Sequence, residues 1–229
     1  MLNNIRIFLF FLISFLHCVS HATSIQPGDL LISEVLANPS AVSDANGEWF
    51  ELFNASDNAI DINGLTISDD GSNSHQINNG ISLFIEPGAY LVLGRNGSVT
   101  DNGGYTADYV YSDFTLGNSQ DQIIFADGDN EILRLNYTGA PFGTAGISVE
   151  LINQLTNPDE SDYQLSQNSQ FGSGDTGTPG LRGSFELVST TTVPVPGAVW
   201  LFGSALLLLR KKVRLIHQQP HPVREYGLR

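Results

Sequence analysis

The 229-residue chain holds one cysteine, Cys18, and its only two lysines, Lys211 and Lys212, stand side by side near the end. Between Thr23 and Thr192 neither residue type occurs. Disulfides, thiolate metal sites and cysteine nucleophiles are therefore excluded from that segment. Positive charge is nearly as scarce: Arg95, Arg134 and Arg182 face 23 acidic residues there, a formal charge of −20 against −14 for the whole chain. Binding a phosphate backbone needs a basic footprint, so no nucleic-acid partner is expected. His75 is the only histidine of the segment, too few for a His-rich zinc centre, and it reads as a loop or strand-edge side chain. Gly-x-Ser-x-Gly, the nucleophile elbow of the α/β-hydrolases, is missing as well.

What is present is concentrated first at the two ends. Ile7 to Leu16 is a run of about ten apolar residues after Arg6, followed by Ser20-His21-Ala22 with small residues at the −3 and −1 positions. This predicts a secretory signal peptide over 1–22, cut between Ala22 and Thr23. A membrane span needs about 20 apolar residues, and this run stops at His17. At the other end, Val193-Pro194-Val195-Pro196 opens an apolar stretch that reaches Leu209 and meets Arg210, Lys211, Lys212 and Arg214. That pattern predicts a short C-terminal transmembrane helix, its basic cluster held at the cytoplasmic face by the positive-inside rule. Residues 215–229 then read as a cytoplasmic tail.

The segment VPVPGAVWLFGSALLLLRKK resembles the C-terminal sorting signals of the PEP-CTERM type of Gram-negative bacteria, in particular the subgroup that begins Val-Pro-Leu-Pro-Ala. Val195 stands where leucine is usual and Gly197 where alanine is usual. The resemblance implies recognition by an exosortase, an integral-membrane processing enzyme. Residues 193–214 are accordingly read as the sorting signal, and 184–192, with its Thr190-Thr191-Thr192 run, as a linker.

Between the ends, short β-branched or alternating apolar runs recur, bounded by glycine, asparagine, aspartate and proline, and no window sustains a helical period. Strands are expected at Leu30–Ala37, Glu48–Asn54, Ala59–Ser68, Ile81–Ile85, Tyr90–Gly94, Asp108–Phe114, Gln122–Ala126, Glu131–Tyr137 and Ile147–Ile152. Asp127-Gly128-Asp129-Asn130 reads as a tight hairpin turn and Glu86-Pro87-Gly88 as another turn. The polar stretch 154–183 is expected to lie over the sandwich as a long loop. Many short strands with turns at this spacing favour an all-β sandwich.

Several of these pieces resemble the lamin-tail domain in order: Leu30-Leu31-Ile32-Ser33-Glu34-Val35, Gly47-Glu48-Trp49-Phe50-Glu51-Leu52-Phe53-Asn54, and Ile60 through Asp69. The series continues through Ile85-Glu86-Pro87-Gly88-Ala89-Tyr90-Leu91-Val92-Leu93, Leu116-Gly117-Asn118, Ile147 to Leu151 and a closing Thr178-Pro179-Gly180. The resemblance spans about 28–183 and implies an immunoglobulin-like β-sandwich, placed here at 23–183, from a family best known for binding and scaffolding. Tyr163 and Phe171 are the aromatics nearest the position where the family often carries a tryptophan.

Candidate chemistry rests on acids. Glu34 and Glu51 interrupt apolar strands, where a carboxylate must be exposed or hydrogen-bonded. As a pair they would suit a glycosidase-like hydrolase. Asp69, Asp70, Asp127, Asp129 and Glu131 put hard oxygen ligands into two turns and are the calcium candidates. Asn54-Ala55-Ser56, Asn96-Gly97-Ser98 and Asn136-Tyr137-Thr138 match the glycosylation pattern, read here as chance.

The expected protein is thus an exported, non-enzymatic binding or structural module of the bacterial cell surface or extracellular matrix. It would be anchored in the inner membrane facing the periplasm, or released after exosortase processing, with a matrix polysaccharide or surface protein as partner. No cofactor is expected; calcium is the one candidate, at the two acid-rich turns. The alternatives are a carboxylate-dependent hydrolase of an extracellular polymer and a calcium-stabilised adhesion domain. The charge reading predicts that the 23–183 segment leaves duplex DNA unbound at moderate salt in a mobility-shift assay; salt-dependent binding in the micromolar range would contradict it.

Overall fold

The computed structural model describes residues 24–184 apart from 154, 155 and 169. The signal peptide, sorting signal, transmembrane segment and basic cluster expected from the sequence lie outside the described residues. Among the described residues no helix is long and apolar enough to cross a membrane.

Two sheets carry the fold. The larger has six strands, β1 (Leu30–Leu36), β2 (Trp49–Asn54), β7 (Tyr90–Gly94), β8 (Tyr109–Val110), β11 (Val149–Leu151) and β12 (Tyr163–Leu165), in the spatial order β12-β11-β1-β2-β7-β8. The smaller has four, β4 (Thr66–Ser68), β5 (Ser74–Gln76), β9 (Gln120–Asp127) and β10 (Asn130–Thr138), in the order β10-β9-β4-β5. A two-stranded ribbon pairs β3 (Ile60–Asp61) with β6 (Phe84–Ile85). Pairing is antiparallel except between β7 and β8. Among the described residues one short helix, α1 (Asp44–Gly47), bridges β1 and β2, and one 3-10 turn spans Glu160–Asp162.

Burial explains why β1 and β2 read as nearly unbroken apolar runs. Every residue of both strands is buried, because the smaller sheet covers one face and the chain's last described segment covers the other. Phe50 is fully buried at the junction of the sheets, its ring 5.9 Å from Phe125 of β9 and 5.5 Å from Tyr111. In contrast β10 alternates along its C-terminal half, Leu135 and Tyr137 buried and Asn136 and Thr138 exposed, as a strand with one solvated face should. Its hairpin with β9 closes through Gly128 and Asp129, where the turn was expected.

The structure corrects several boundaries. Ala59–Ser68 is two strands rather than one: Gly64 takes φ +95°, a left-handed conformation that interrupts the pleat between β3 and β4. Ile81–Ile85 shortens to its last two residues, Phe84–Ile85, and Asp108–Phe114 to Tyr109–Val110 near its start. Edge strands β5 and β12, together with α1, had no apolar period to announce them. The stretch 154–183 is therefore only partly loop. Tyr163 enters the core from β12 and donates a 2.7 Å hydrogen bond to the Ile32 carbonyl.

Phe50 fills the interface between the sheets, so truncation leaves a cavity lined by Tyr111, Phe114 and Phe125. Phe50→Ala is expected to cost about 3–5 kcal/mol of unfolding free energy, measured by denaturant titration of the 23–184 segment. A loss below about 1 kcal/mol would show that the cavity collapses freely.

Candidate functional site

The outer face of the six-stranded sheet, turned away from the smaller sheet, carries a row of acids. Strand pairing places Glu34 of β1 opposite Glu51 of β2 on one side and Glu150 of β11 on the other. All three are about 1% exposed. A bulge in β1 sets this up, since Ile32 pairs with Leu52 but Glu34 pairs with Glu51, leaving Ser33 as the extra residue. Without it Glu34, two positions from Ile32, would point into the apolar core with that side chain. Ser33 also donates its hydroxyl to Glu51 Oε1 at 2.6 Å, so the residue that turns Glu34 outward also serves its neighbour.

The segment running from Ser166 to Ser184 lies over this row. Glu34 accepts from Ser148 Oγ at 2.5 Å, from Thr178 N at 2.9 Å and from Thr178 Oγ1 at 2.6 Å. Glu51 accepts from Gly180 N at 2.7 Å. Glu150 accepts from Asn168 Nδ2 at 2.5 Å and Ser184 N at 2.7 Å. The fit is close enough to require glycine: a Cβ on Gly177 would lie 2.6 Å from Glu34 Oε1 and 2.7 Å from Ser148 Oγ. Beside the row, Trp49 and Val92 form a small apolar patch with Leu36 and Tyr105, and Phe171 stands edge-on to Trp49 at 6.0 Å between ring centres. Upstream, Asp175 ties the same segment to Ser40 N, Ser40 Oγ and Ala41 N.

Burial dominates the acidities. It pushes Glu34 up to about 7 against the hydrogen bonds from Ser148 and Thr178, with Glu150 adding repulsion. Glu51 is pushed up to about 8 by burial, offset by Ser33 and raised further by Glu34 and Asp108. Glu48, at the start of β2, is pushed up to about 7 by burial even though it accepts from Leu116 N and pairs with Arg95 at 3.3 Å. Glu150 goes the other way, because donors from Ser166, Ser184 and Asn168 outweigh its burial.

The sequence flagged Glu34 and Glu51 and missed Glu48 and Glu150; only cross-strand pairing shows that the last of these belongs to the row. As a hydrolytic pair Glu34 and Glu51 lie under cover. A groove of about 790 Å³, lined by Ser56, Asn58, Asp61, Asn63 and Phe84, opens elsewhere, and so does a cleft of about 330 Å³ between β1 and β10; neither is lined by the two acids. The calcium candidates are divided. Asp70 and Glu131 converge on the Arg134 guanidinium at 2.9 and 2.8 Å, while Asp69 accepts from Gly71 N and from Asn73. Asp127 and Asp129 border the hairpin turn. Among the described residues no three His, Cys, Asp or Glu side chains are grouped to hold a metal ion. His75 lies on edge strand β5, its Nε2 2.8 Å from Tyr109 Oη, and burial lowers its pKa. Asn54 is fully buried and bonds the carbonyls of Asn58 and Ile85, so that glycosylation match is internal structure.

Two sheets packed face to face around one apolar core, with short strands and a sealed outer face, define an immunoglobulin-like β-sandwich. The chain belongs to the lamin tail domain family, whose model matches residues 23–139; this is a family of structural and binding β-sandwiches. No curated protein and no solved structure gives a match. The family match ends just after β10, short of the sequence resemblance, yet Glu150 beyond it joins the same sheet and the same acid row, and Thr178 donates to Glu34 of that row.

The acidities set the direction of a pH dependence. Glu34, Glu48 and Glu51 have folded values raised above the ordinary 4.5, so their stabilisation is complete below about 4.5 and lost as pH rises through 7 to 8. Glu150 and Asp61 have lowered values, and their stabilisation is lost only as pH falls below the ordinary carboxylate range. The melting temperature is therefore expected to peak near pH 5 and to be on the order of 10 °C lower at pH 8.5. A melting temperature that climbs steadily from pH 5 to 8.5 would contradict the burial of these acids.

Proposed function

We propose that this chain is an exported, non-enzymatic binding or structural module of the bacterial cell surface or extracellular matrix. One observation carries the non-enzymatic part: the buried acids Glu34, Glu51 and Glu150 direct their oxygens at the protein's own hydroxyl, amide and backbone donors. A hydrolase would need a pair of carboxylates facing a substrate cleft. Here they hold the last described segment to the sheet. Membership of a family of structural and binding sandwiches supports the same reading.

Export and anchoring rest on the sequence of the ends. The apolar run with its Ser20-His21-Ala22 cleavage pattern supports removal of 1–22, and Val193–Pro196, the apolar run and the basic cluster follow the order of an exosortase signal. A plain anchor needs the apolar run and its flanking charge but is indifferent to the prolines. The P194A/P196A double variant is therefore expected to insert in the membrane normally but to stay unprocessed in the native host. Mass spectrometry of mature wild-type protein should find Thr23 at the N-terminus and 215–229 removed. A tail still attached in wild type and variant alike would leave a simple anchor.

A further inference from the structure

At the head of the closing segment 176–184, Thr176 exchanges backbone hydrogen bonds with Gly146 and Ser148, and the residues after it fasten to the three acids of the row. Thr178 holds Glu34, Gly180 holds Glu51 and Ser184 holds Glu150. Its apolar contribution is slight: Leu181 is 67% exposed, and the segment buries no large apolar side chain. A stretch fastened by polar contacts over charged ground belongs to the low end of local stability. Immediately before it, Asp175 is buried and pinned to Ser40 and Ala41, which provides a fixed point from which the segment can swing.

We propose that residues 176–184 form a proton-controlled strap, closed over the outer face while Glu34 and Glu51 carry protons and released when both ionise. Both protonation states fit the closed geometry at the level of hydrogen bonds. A protonated Glu34 can donate to Thr178 Oγ1, and a protonated Glu51 to Ser33 Oγ, because each hydroxyl can rotate from donor to acceptor. Ionisation changes the electrostatics. Glu34 then faces Glu150 of β11 and Glu51 of β2, while Glu51 faces Glu34, Asp108 ahead of β8 and Tyr90 of β7. Arg182 of the strap acts on Tyr90. Like charges directly opposite on neighbouring strands repel, and here they do so out of contact with water.

The strap itself supplies much of the cover over these acids. Opening it hydrates them at the cost of a few hydrogen bonds, whereas unfolding the sandwich would forfeit the core. Linkage then fixes the direction: groups that bind protons more tightly under the closed strap make protons favour closure. Opening uncovers the acid row and Val92, whose side chain lies 3.9 Å from where a Cβ on Gly180 would stand. The apolar patch around Trp49 adjoins that ground.

Amide hydrogen exchange of the full chain at pH 5.5 and 8.5, corrected for the chemical pH dependence of exchange, tests this. Peptides covering 176–184 are expected to lose protection about tenfold or more at pH 8.5, while β2 and β9 retain theirs. The E34Q/E51Q double variant keeps the neutral shape of both side chains, with the amide donating to Thr178 Oγ1 or Ser33 Oγ, and should hold the strap protected at both pH values. Equal strap protection in wild type at the two pH values would overturn the proposal. So would a loss shared equally by β2 and β9, or a loss undiminished in a folded double variant. If the double variant does not fold, the wild-type comparison decides alone.

Discussion

A carboxylate that points away from the apolar core normally points into water, and Glu34 and Glu51 do not: both are about 1% exposed on the outer face of the larger sheet. Burying such a group is tolerable only where donors meet it or a proton neutralises it. Much of the chain after β10 answers that requirement. Ser148 at the head of β11, Thr178 and Gly180 in the closing segment, and Ser33 at the β1 bulge all aim hydrogen-bond donors at these two side chains. The absence of a side chain at Gly177 follows from the same demand, since the segment must approach Glu34 Oε1 more closely than a Cβ allows.

The shortage of cations gives the row its character. Of the three arginines in the domain, Arg95 is paired with Glu48 and Arg134 lies between Asp70 and Glu131. Arg182 sits in the strap, where its charge acts on Tyr90. Donors to Glu34 and Glu51 are hydroxyls and backbone N–H groups, which favour the carboxylate less than a guanidinium does, and burial prevails. The scarcity of cations thus leaves acids with raised pKa values inside the domain.

Much of the fold was legible because its long strands follow simple patterns. The runs Leu30–Leu36 and Trp49–Asn54 are apolar enough to read as strands covered on both faces, and Gly128 with Asp129 announces a hairpin. Strand β5, Ser74-His75-Gln76, was not legible: an edge strand held by backbone pairing to β4 needs no apolar side chain. The split at Gly64 was visible as a glycine but not as a positive φ. Of the acid row, Glu34 and Glu51 stood out because each breaks an apolar run. Glu150 did not, because its partner lies 116 positions earlier in the chain and only register reveals it. Asp70 and Glu131 looked like free ligands in the sequence, yet the fold brings Arg134 to both.

The family match and the physical unit differ in extent, and the difference follows from strand order. The match ends at Gly139, whereas β11 pairs with β1 and β12 with β11 in the same six-stranded sheet. A chain cut at Gly139 would leave one edge of β1 without a partner, remove the Tyr163 donor from the Ile32 carbonyl and expose Glu34 and Glu51 on an uncovered face. An open edge beside apolar side chains is a pairing site for other chains. The last third of the domain therefore completes the sheet and seals its outer face; the apolar pattern shows β11 there, but not β12 or the single hydrogen-bonding residues of the closing segment.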